Sequence, residues 1–151
     1  MKEQRGLRDD IRVLAAGCAG LAIRQAARRI TQFYEETLQD SGLSVAQLGL
    51  MAVIATNEDD RMAALAEQAG LDPSTLSRNL RGLERDGLIE IAAVEKDLRR
   101  RAVWLTEEGL RRLQGALPAW RDAQAGIAEL FPADLLQRIN AASEKLGGQK
   151  E

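Results

Sequence analysis

The chain has 151 residues, one cysteine, no histidine and a formal net charge of −2, with 45% hydrophobic residues, which favours a single globular domain spanning 1–151. The absence of histidine excludes Ser-His and Cys-His nucleophile pairs and histidine-containing zinc sites, and one cysteine excludes a Cys₄ site. Because no two glycines have G-x-G spacing and no apolar run is long enough for a membrane span, phosphate-binding loops and membrane proteins are excluded too, and we expect no enzyme, metal or cofactor.

The first predicted element is one long helix of roughly 30 residues that ends before Gly42, a typical C-terminal stop. Apolar residues recur along its first half at alternating spacings of four and three, the a/d seam of a helix that packs on another helix. The members of this seam are Leu7, Ile11, Leu14, Cys18 and Leu21. Such a helix is too long to be covered by one small domain, so the pattern indicates a second chain that packs against it.

Two short helices separated by a glycine turn predict a helix-turn-helix in the middle of the chain. The first is alanine-rich, covers 62–69 and ends at Gly70. Asp72 can cap the second helix, and Pro73 suits its first position, while Gly87 stops it. The residues that point inward at helical spacing are Leu76, Leu80 and Leu83.

Beyond Gly87 the apolar spacing changes from helical to alternating, which predicts two strands. The first strand covers 88–94, and the second covers 103–105, with Trp104 on its outer face. The segment 95–100 between them is charged and is expected to be the turn. The two strands therefore form a β-hairpin, or wing, directly after the helix-turn-helix.

Two further helices are predicted in the C-terminal part. Thr106 can cap the first of them, and Pro118 either kinks this helix or begins a new segment. Trp120 is expected in an interface or in the core. The last helix begins near Phe131 and carries apolar residues on one side. These residues are Leu135, Leu136, Ile139 and Leu146.

Short hydroxyl side chains and arginines cover the outer face of the second helix of the pair. They are Ser74, Thr75, Ser77, Arg78 and Arg81. These side chains can hydrogen-bond base edges and phosphates, and an α-helix fits the major groove of B-DNA. A merely solvated polar face is the alternative, but Arg99 and Arg100 on the adjacent hairpin can enter the minor groove. Residues 72–112 carry nine basic against eight acidic residues, so DNA binding would depend on where the arginines point.

Four spaced motifs in this region resemble the MarR family of winged helix-turn-helix regulators. They are Leu65–Leu80, Leu83–Ile89, Asp97–Arg99 and Leu105–Gly109. The resemblance implies a mainly α (α+β) fold, a winged helix-turn-helix with long N- and C-terminal dimerisation helices. It assigns 1–40 and 118–147 to dimerisation and 43–106 to DNA binding within a single domain.

The resemblance also implies a bacterial, cytoplasmic homodimer that binds a pseudo-palindromic operator in double-stranded DNA, most simply as a repressor. The recognition helix, about 73–86, would enter the major groove, and the wing, about 95–101, the minor groove. In the family an arginine of the wing inserts while an aspartate orients it; these roles fall on Arg99 and Asp97. A small aromatic or phenolic ligand would bind between the dimerisation and DNA-binding parts and relieve repression, at residues that the sequence does not identify.

Cys18 supports a second hypothesis, a redox-sensing regulator. One branch of the family senses organic hydroperoxides through a first-helix cysteine that tyrosines hydrogen-bond. Aligning 30–34 with that branch puts its cysteine at Gly20, and Tyr34 alone remains of its tyrosines. A thiol in an apolar seam behaves as a small hydrophobe, so a structural Cys18 is favoured over a redox trigger or an interchain disulfide. A third hypothesis, a winged-helix protein-interaction module without DNA binding, depends on the near-neutral charge of the face.

Overall fold

The computed structural model describes residues 2–58, 61–94 and 97–147, with side chains described in these segments except at 2–5, 94, 97–101 and 147. Helices dominate, and one two-stranded antiparallel sheet interrupts them. In chain order the elements are α1 (Lys2–Gly17), α2 (Ala19–Leu38), α3 (Val45–Thr56), α4 (Met62–Ala69), α5 (Pro73–Arg85), β1 (Ile89–Val94), β2 (Asp97–Leu105), α6 (Glu107–Leu130) and α7 (Leu135–Gly147). This arrangement confirms the mainly α winged-helix fold.

The single long N-terminal helix predicted from the apolar seam is wrong, because the chain breaks it at Cys18. This residue has extended backbone angles, φ −71° and ψ 109°, between the end of α1 and the start of α2. Gly17 and Gly20 flank the break, and glycine disfavours helix by about 1 kcal/mol relative to alanine. Hydrogen bonds continue on both sides, from Cys18 N to Leu14 O and from Ala22 N to Cys18 O, each 3.1 Å. The seam spacing cannot reveal a break that occupies one residue.

The predicted helix ends and caps of the central region are confirmed. After a 3₁₀ turn, Gly42 adopts the left-handed conformation with φ 69° that a C-terminal stop requires. Gly70 does the same with φ 63° after α4. Asp72 caps α5, and Pro73 occupies its first position. Because local chemistry sets each of these ends, the lengths of the helices were predictable.

The core is one buried cluster in which side chains of α2, α3, α4, α5, β1 and α6 meet. Leu76, Leu80 and Leu83 of α5 are each 1% exposed, as predicted. They join Met51 of α3 and Leu113 of α6 in one buried cluster. Leu38 at the end of α2 is also fully buried in this cluster, so the N-terminal part is joined to the core through its last turn.

The hairpin is longer than predicted. β1 and β2 pair antiparallel with Ile89 opposite Leu105 and Ile91 opposite Val103. β2 already begins at Asp97, so a turn over 95–100 is wrong; Glu95 and Lys96 lie outside the described residues. The charged start of β2 hides its strand character, because a two-stranded ribbon does not require apolar alternation along its whole length. Trp104 is 41% exposed, which confirms its place on the outer face.

Pro118 does not begin a new segment. It lies inside α6, which continues to Leu130. A proline inside a helix removes one backbone hydrogen bond, but the neighbouring Ala116 and, further on, Ala123 are fully buried. Packing along α6 therefore maintains the helix past the proline.

Within the described segments, no single helix is both long enough and apolar enough to cross a membrane. One bent pair of helical segments reaches the required length and apolar character, and it consists of Gly6–Ser41 and Val45–Thr56 at 77° to each other.

Candidate nucleic-acid interface

The outer face of α5 is polar opposite its buried leucines. Ser74, Arg78 and Arg81 are exposed, whereas Thr75 and Ser77 are half-buried. Thr75 and Ser77 thus lie nearer the edge of the packed face than the sequence suggested. All five predicted side chains nevertheless lie on one helix, within three turns of its N-terminus.

The first turn of α5 is organised by the Asp72 carboxylate. Its Oδ1 accepts hydrogen bonds from the backbone N–H of Ser74 and Thr75, both at 3.0 Å, and from the Ser74 hydroxyl at 2.6 Å. Its Oδ2 accepts from the Thr75 hydroxyl at 2.6 Å. The side-chain hydrogen bond from Ser74, followed by that from Thr75, holds the pKa of Asp72 well below its usual range. The carboxylate is therefore ionised at neutral pH, and both hydroxyls point their hydrogens toward it.

The next turns of α5 carry the arginines. Arg81 Nη2 donates to the Ser77 hydroxyl at 3.1 Å, four residues earlier. This contact holds one edge of the guanidinium along the helix. Arg78 is exposed, and within the described segments its side chain has no hydrogen bond or ion pair. Its guanidinium can therefore reach away from the helix surface.

A groove of about 370 Å³ separates α5 from the beginning of α3. Arg78, Asn79 and Gly82 line it from α5. On the other side are Ser44 and Gln47, which cap α3 through reciprocal hydrogen bonds of 3.1 and 3.0 Å. Sequence reasoning missed Asn79, because a single asparagine between Arg78 and a buried leucine gives no motif.

The base of the hairpin is fixed beside the C-terminal end of α5. Leu88 N donates to Leu83 O at 2.9 Å, and the Thr106 hydroxyl donates to Gly87 O at 2.7 Å. A Cβ atom at Gly109 would overlap the backbone carbonyl of Leu88, so only glycine allows α6 to start this close to β1. These contacts therefore fix the orientation of the hairpin relative to α5.

The predicted wing residues Asp97, Arg99 and Arg100 lie at the start of β2. Asp97 pairs with Val94 at the end of the hairpin away from the core, whereas Arg99 and Arg100 lie in a register shift between Asp97 and Arg101 and have no partner in β1. Their side chains lie outside the described ones. The structure thus brings the base of the hairpin next to α5, and the proposed ion pair between Asp97 and Arg99 stays a prediction.

An apolar cavity of about 420 Å³ lies between α2, α3 and α6. Its lining residues are Tyr34, Val45, Leu48, Gly49, Ala52, Leu113, Leu117 and Trp120. At one side the Tyr34 hydroxyl donates a short hydrogen bond to Gln124 Oε1, and burial raises the pKa of Tyr34 above its usual value of 10.0. These residues come from the successive helices α2 and α3 and from the much later α6, so sequence spacing could not have grouped them.

Cys18 lies half-buried at the break between α1 and α2. Tyr34, the one tyrosine in the chain, hydrogen-bonds Gln124. The hypothesis of a redox-sensing cysteine stays a prediction, since among the described residues no hydrogen bond joins the thiol to a tyrosine or a cation.

Known proteins resemble this chain along most of its length. A family model for the MarR family matches residues 41–100. Transcriptional regulator HosA of Escherichia coli is 31% identical over 124 residues, 82% of this chain and 84% of HosA. The HTH-type transcriptional repressor YetL of Bacillus subtilis is 26% identical over 113 residues, 74% of this chain and 68% of YetL.

A solved structure extends the likeness to the fold. The M. tuberculosis transcriptional regulator MosR in complex with DNA has 32% sequence identity and a TM-score of 0.81, over 89% of this chain and 99% of that one. These relatives are transcriptional regulators and not enzymes, which confirms the expectation of a non-enzymatic protein. They argue against a winged-helix module that does not bind DNA.

Proposed function

Because the chain belongs to the MarR family of transcriptional regulators, we propose that it acts as a homodimer that binds a pseudo-palindromic operator and is released from it by a small ligand. The outer face of α5 enters the major groove of each half-site. The β1–β2 hairpin follows the adjacent minor groove. Repression by occupying a promoter is the simplest outcome of such binding.

The face of α5 is the observation that carries this proposal. Its leucines are almost fully buried, so the helix is held firmly while Ser74, Arg78 and Arg81 remain exposed. Arginine is the usual bidentate partner of guanine in the major groove, and hydroxyls contact either bases or phosphates. A DNA-bound relative of the same fold, 32% identical, supports this assignment.

The tip of the hairpin is the second proposed DNA contact. Three consecutive arginines, 99–101, follow Asp97 there. An arginine inserted into a narrow minor groove gains from its enhanced negative potential. We assign the insertion to Arg99, its orientation to Asp97 and a neighbouring backbone contact to Arg100.

Dimerisation through 1–40 and 118–147 is supported by apolar surface that one chain leaves exposed. On the described parts of α1 and α7 the exposed large apolar side chains are Leu7, Ile11, Val13, Leu14, Leu136, Ile139 and Leu146. Large exposed apolar surfaces are typical of interaction sites, so these side chains favour an interface on α1 and α7. A dimer joined through these helices would carry two DNA-binding regions, one region 43–106 from each chain. Binding to two half-sites about 34–36 Å apart requires such a pair.

The cavity between α2, α3 and α6 is the proposed ligand site. Its volume of about 420 Å³ suits a small aromatic or phenolic molecule. Tyr34 and Trp120 offer ring surfaces, and the Tyr34 hydroxyl offers a polar contact. A ligand there would touch α2 on the dimerisation side and α3 on the DNA-binding side, so it can favour one spacing of the two α5 helices.

Selection from a random duplex library, followed by fluorescence-anisotropy titration at two salt concentrations, tests the proposal. We expect an enriched inverted repeat whose affinity falls as salt rises, because counterions are released from phosphates. Weak, salt-insensitive binding without enrichment would overturn it. Addition of monocyclic aromatic acids and phenols to the complex then tests the ligand.

Two arginine variants separate the roles of α5 and the wing. Arg78→Ala should cost about 1–3 kcal/mol of binding and relax the preference at particular base pairs. Arg99→Ala should weaken binding to all sequences and reduce the salt slope by about one. Arg111→Ala, at an exposed arginine of α6 outside the proposed DNA-binding and dimerisation regions, is the matched control and should change neither quantity.

A further inference from the structure

The two ends of the α5 face have opposite hydrogen-bonding character. We propose that Ser74 and Thr75 read bases as hydrogen-bond acceptors, from the exocyclic amino group of adenine or cytosine, whereas Ser77, Arg78 and Arg81 act as donors. This inference rests on the proposed function, which puts α5 in the major groove. It names the chemistry of the base that the first turn of α5 selects.

The hydroxyls of Ser74 and Thr75 are acceptors because Asp72 takes their hydrogens. Each hydroxyl oxygen lies 2.6 Å from a carboxylate oxygen. An ionised carboxylate can only accept, so each of these contacts uses the one hydrogen that the hydroxyl owns. What remains on the outer side of both oxygens is lone-pair density.

Only two groups in the major groove can donate to such an oxygen. These are the N6 amino group of adenine and the N4 amino group of cytosine, while guanine and thymine present acceptors at the corresponding edge. Phosphate oxygens are acceptors as well, and they carry the same sign of charge as Asp72. The first turn of α5 therefore favours base edges over the DNA backbone.

The following turns of α5 have the opposite character. Arg81 already donates to the Ser77 oxygen, which leaves the hydroxyl hydrogen of Ser77 and the other guanidinium hydrogens as donors. Arg78, exposed and without a described partner, adds donors alone, since a guanidinium cannot accept. This part of the helix suits guanine, thymine O4 or phosphate, so one helix presents acceptors first and donors after them.

The variant Asp72→Asn tests the inference, because it reverses one of the two hydroxyls. The amide oxygen must stay in the Oδ1 position, where two backbone N–H groups donate to it, and asparagine is as good an N-cap as aspartate. The amide nitrogen then replaces Oδ2 and donates to the Thr75 oxygen. The Thr75 hydrogen becomes free to point outward, and Thr75 changes from an acceptor to a donor.

Library selection with the wild type and with Asp72→Asn gives the result. We expect one position in each half-site to change from adenine or cytosine to thymine or guanine on the contacted strand, by about fivefold in preference. Thr75→Val, which removes the hydroxyl at constant shape, should lose the preference at that same position. Glu107→Gln removes an equal charge from the exposed start of α6, outside the proposed DNA-binding and dimerisation regions, and should select the wild-type sequence.

The outcomes separate this inference from the function on which it rests. If the wild type enriches an operator and Asp72→Asn or Thr75→Val keeps the same base preference at every position, the inference is overturned and the DNA-binding function stands. If the wild type enriches no sequence, both are overturned. Circular dichroism of each variant checks that α5 is intact before selection.

Discussion

The central winged region and the terminal helices use the same kind of amphipathic helix in opposite ways. In α5, Leu80 is 1% exposed and packs within its own chain, whereas Leu136 of α7 is 62% exposed. Both lie on helices with a clear apolar side. The difference teaches that the core around α5 is completed within one chain, while α1 and α7 leave apolar side chains exposed, which the proposed second copy would cover.

The same substitution placed in each region gives the largest expected effect. Leu80→Ala should lower the free energy of unfolding by about 2–5 kcal/mol, because it leaves a cavity in a packed core. The loss should be equal at every protein concentration. Thermal or denaturant unfolding, followed by circular dichroism at two concentrations, measures it.

Leu136→Ala is the matched variant in the terminal helices. Its effect should depend on protein concentration, since it weakens association and hence the stability that association adds. At high dilution, where both proteins are monomers, the variant should unfold like the wild type. At higher concentration it should be less stable than the wild type and have a lower mean mass by sedimentation. Equal losses for both leucine variants at all concentrations would contradict the division into two regions.

Local chemistry explains why so much of the winged region could be predicted from the sequence. A stop such as Gly70 or a cap such as Asp72 acts within four residues, and the spacing of Leu76, Leu80 and Leu83 identifies the buried side without further information. The polar outer face of α5 could then be predicted, because it lies on the side of the helix opposite these leucines.

The missed features depend on distance or on single residues. The break at Cys18 occupies one position between two good helices, and the apolar seam runs across it unchanged. The cavity joins Tyr34 to Trp120 through tertiary packing. The polarity of Ser74 and Thr75 depends on which partner takes their hydrogens, which a residue type does not specify.

Tyr34 of α2 lies between the terminal helices and the central winged region and hydrogen-bonds Gln124 of α6. A variant at Tyr34 therefore tests the packing between the two regions. Tyr34→Phe should reduce the free energy of unfolding by about 1 kcal/mol, because it removes the hydrogen bond to Gln124 and leaves that amide oxygen unpaired. The stabilisation should be present below pH 10. Since the folded-state pKa is raised above the usual 10.0, it should be lost as the pH rises from that value through the folded-state pKa.

The titration of Tyr34 can be observed directly, because the chain has one tyrosine. Phenolate absorbance in the folded wild type should have its midpoint above that of the protein unfolded in denaturant. A Gln124→Leu variant keeps the phenol buried and should preserve the direction of the shift, since burial is its cause. A midpoint at the unfolded value would show that Tyr34 is open to solvent and that α2 does not pack on α6 there.

The smallest expected effect on stability concerns the start of α6, the helix that follows the winged region in the chain. Glu108 contacts Arg111 and Arg112, the latter at 3.0 Å. The hydrogen bond from Arg111, followed by that from Arg112, lowers the pKa of Glu108. At a pH above 4.5, the ordinary pKa of a glutamate, Glu108→Gln should therefore lower the thermal midpoint by a small amount. This difference from the wild type should vanish as the pH falls through the lower folded-state pKa of Glu108.

Glu107→Gln is the matched control for this variant, because both glutamates lie in the first turn of α6 and face the same helix dipole. A larger loss for Glu108→Gln than for Glu107→Gln isolates the ion pairs from the dipole. Exposed pairs are weak and screened by salt, so added salt should remove this excess. If the larger loss of stability for Glu108→Gln is independent of protein concentration, the first turn of α6 is stable within one chain. Any contribution of a second copy to the stability of α6 then begins further along the helix.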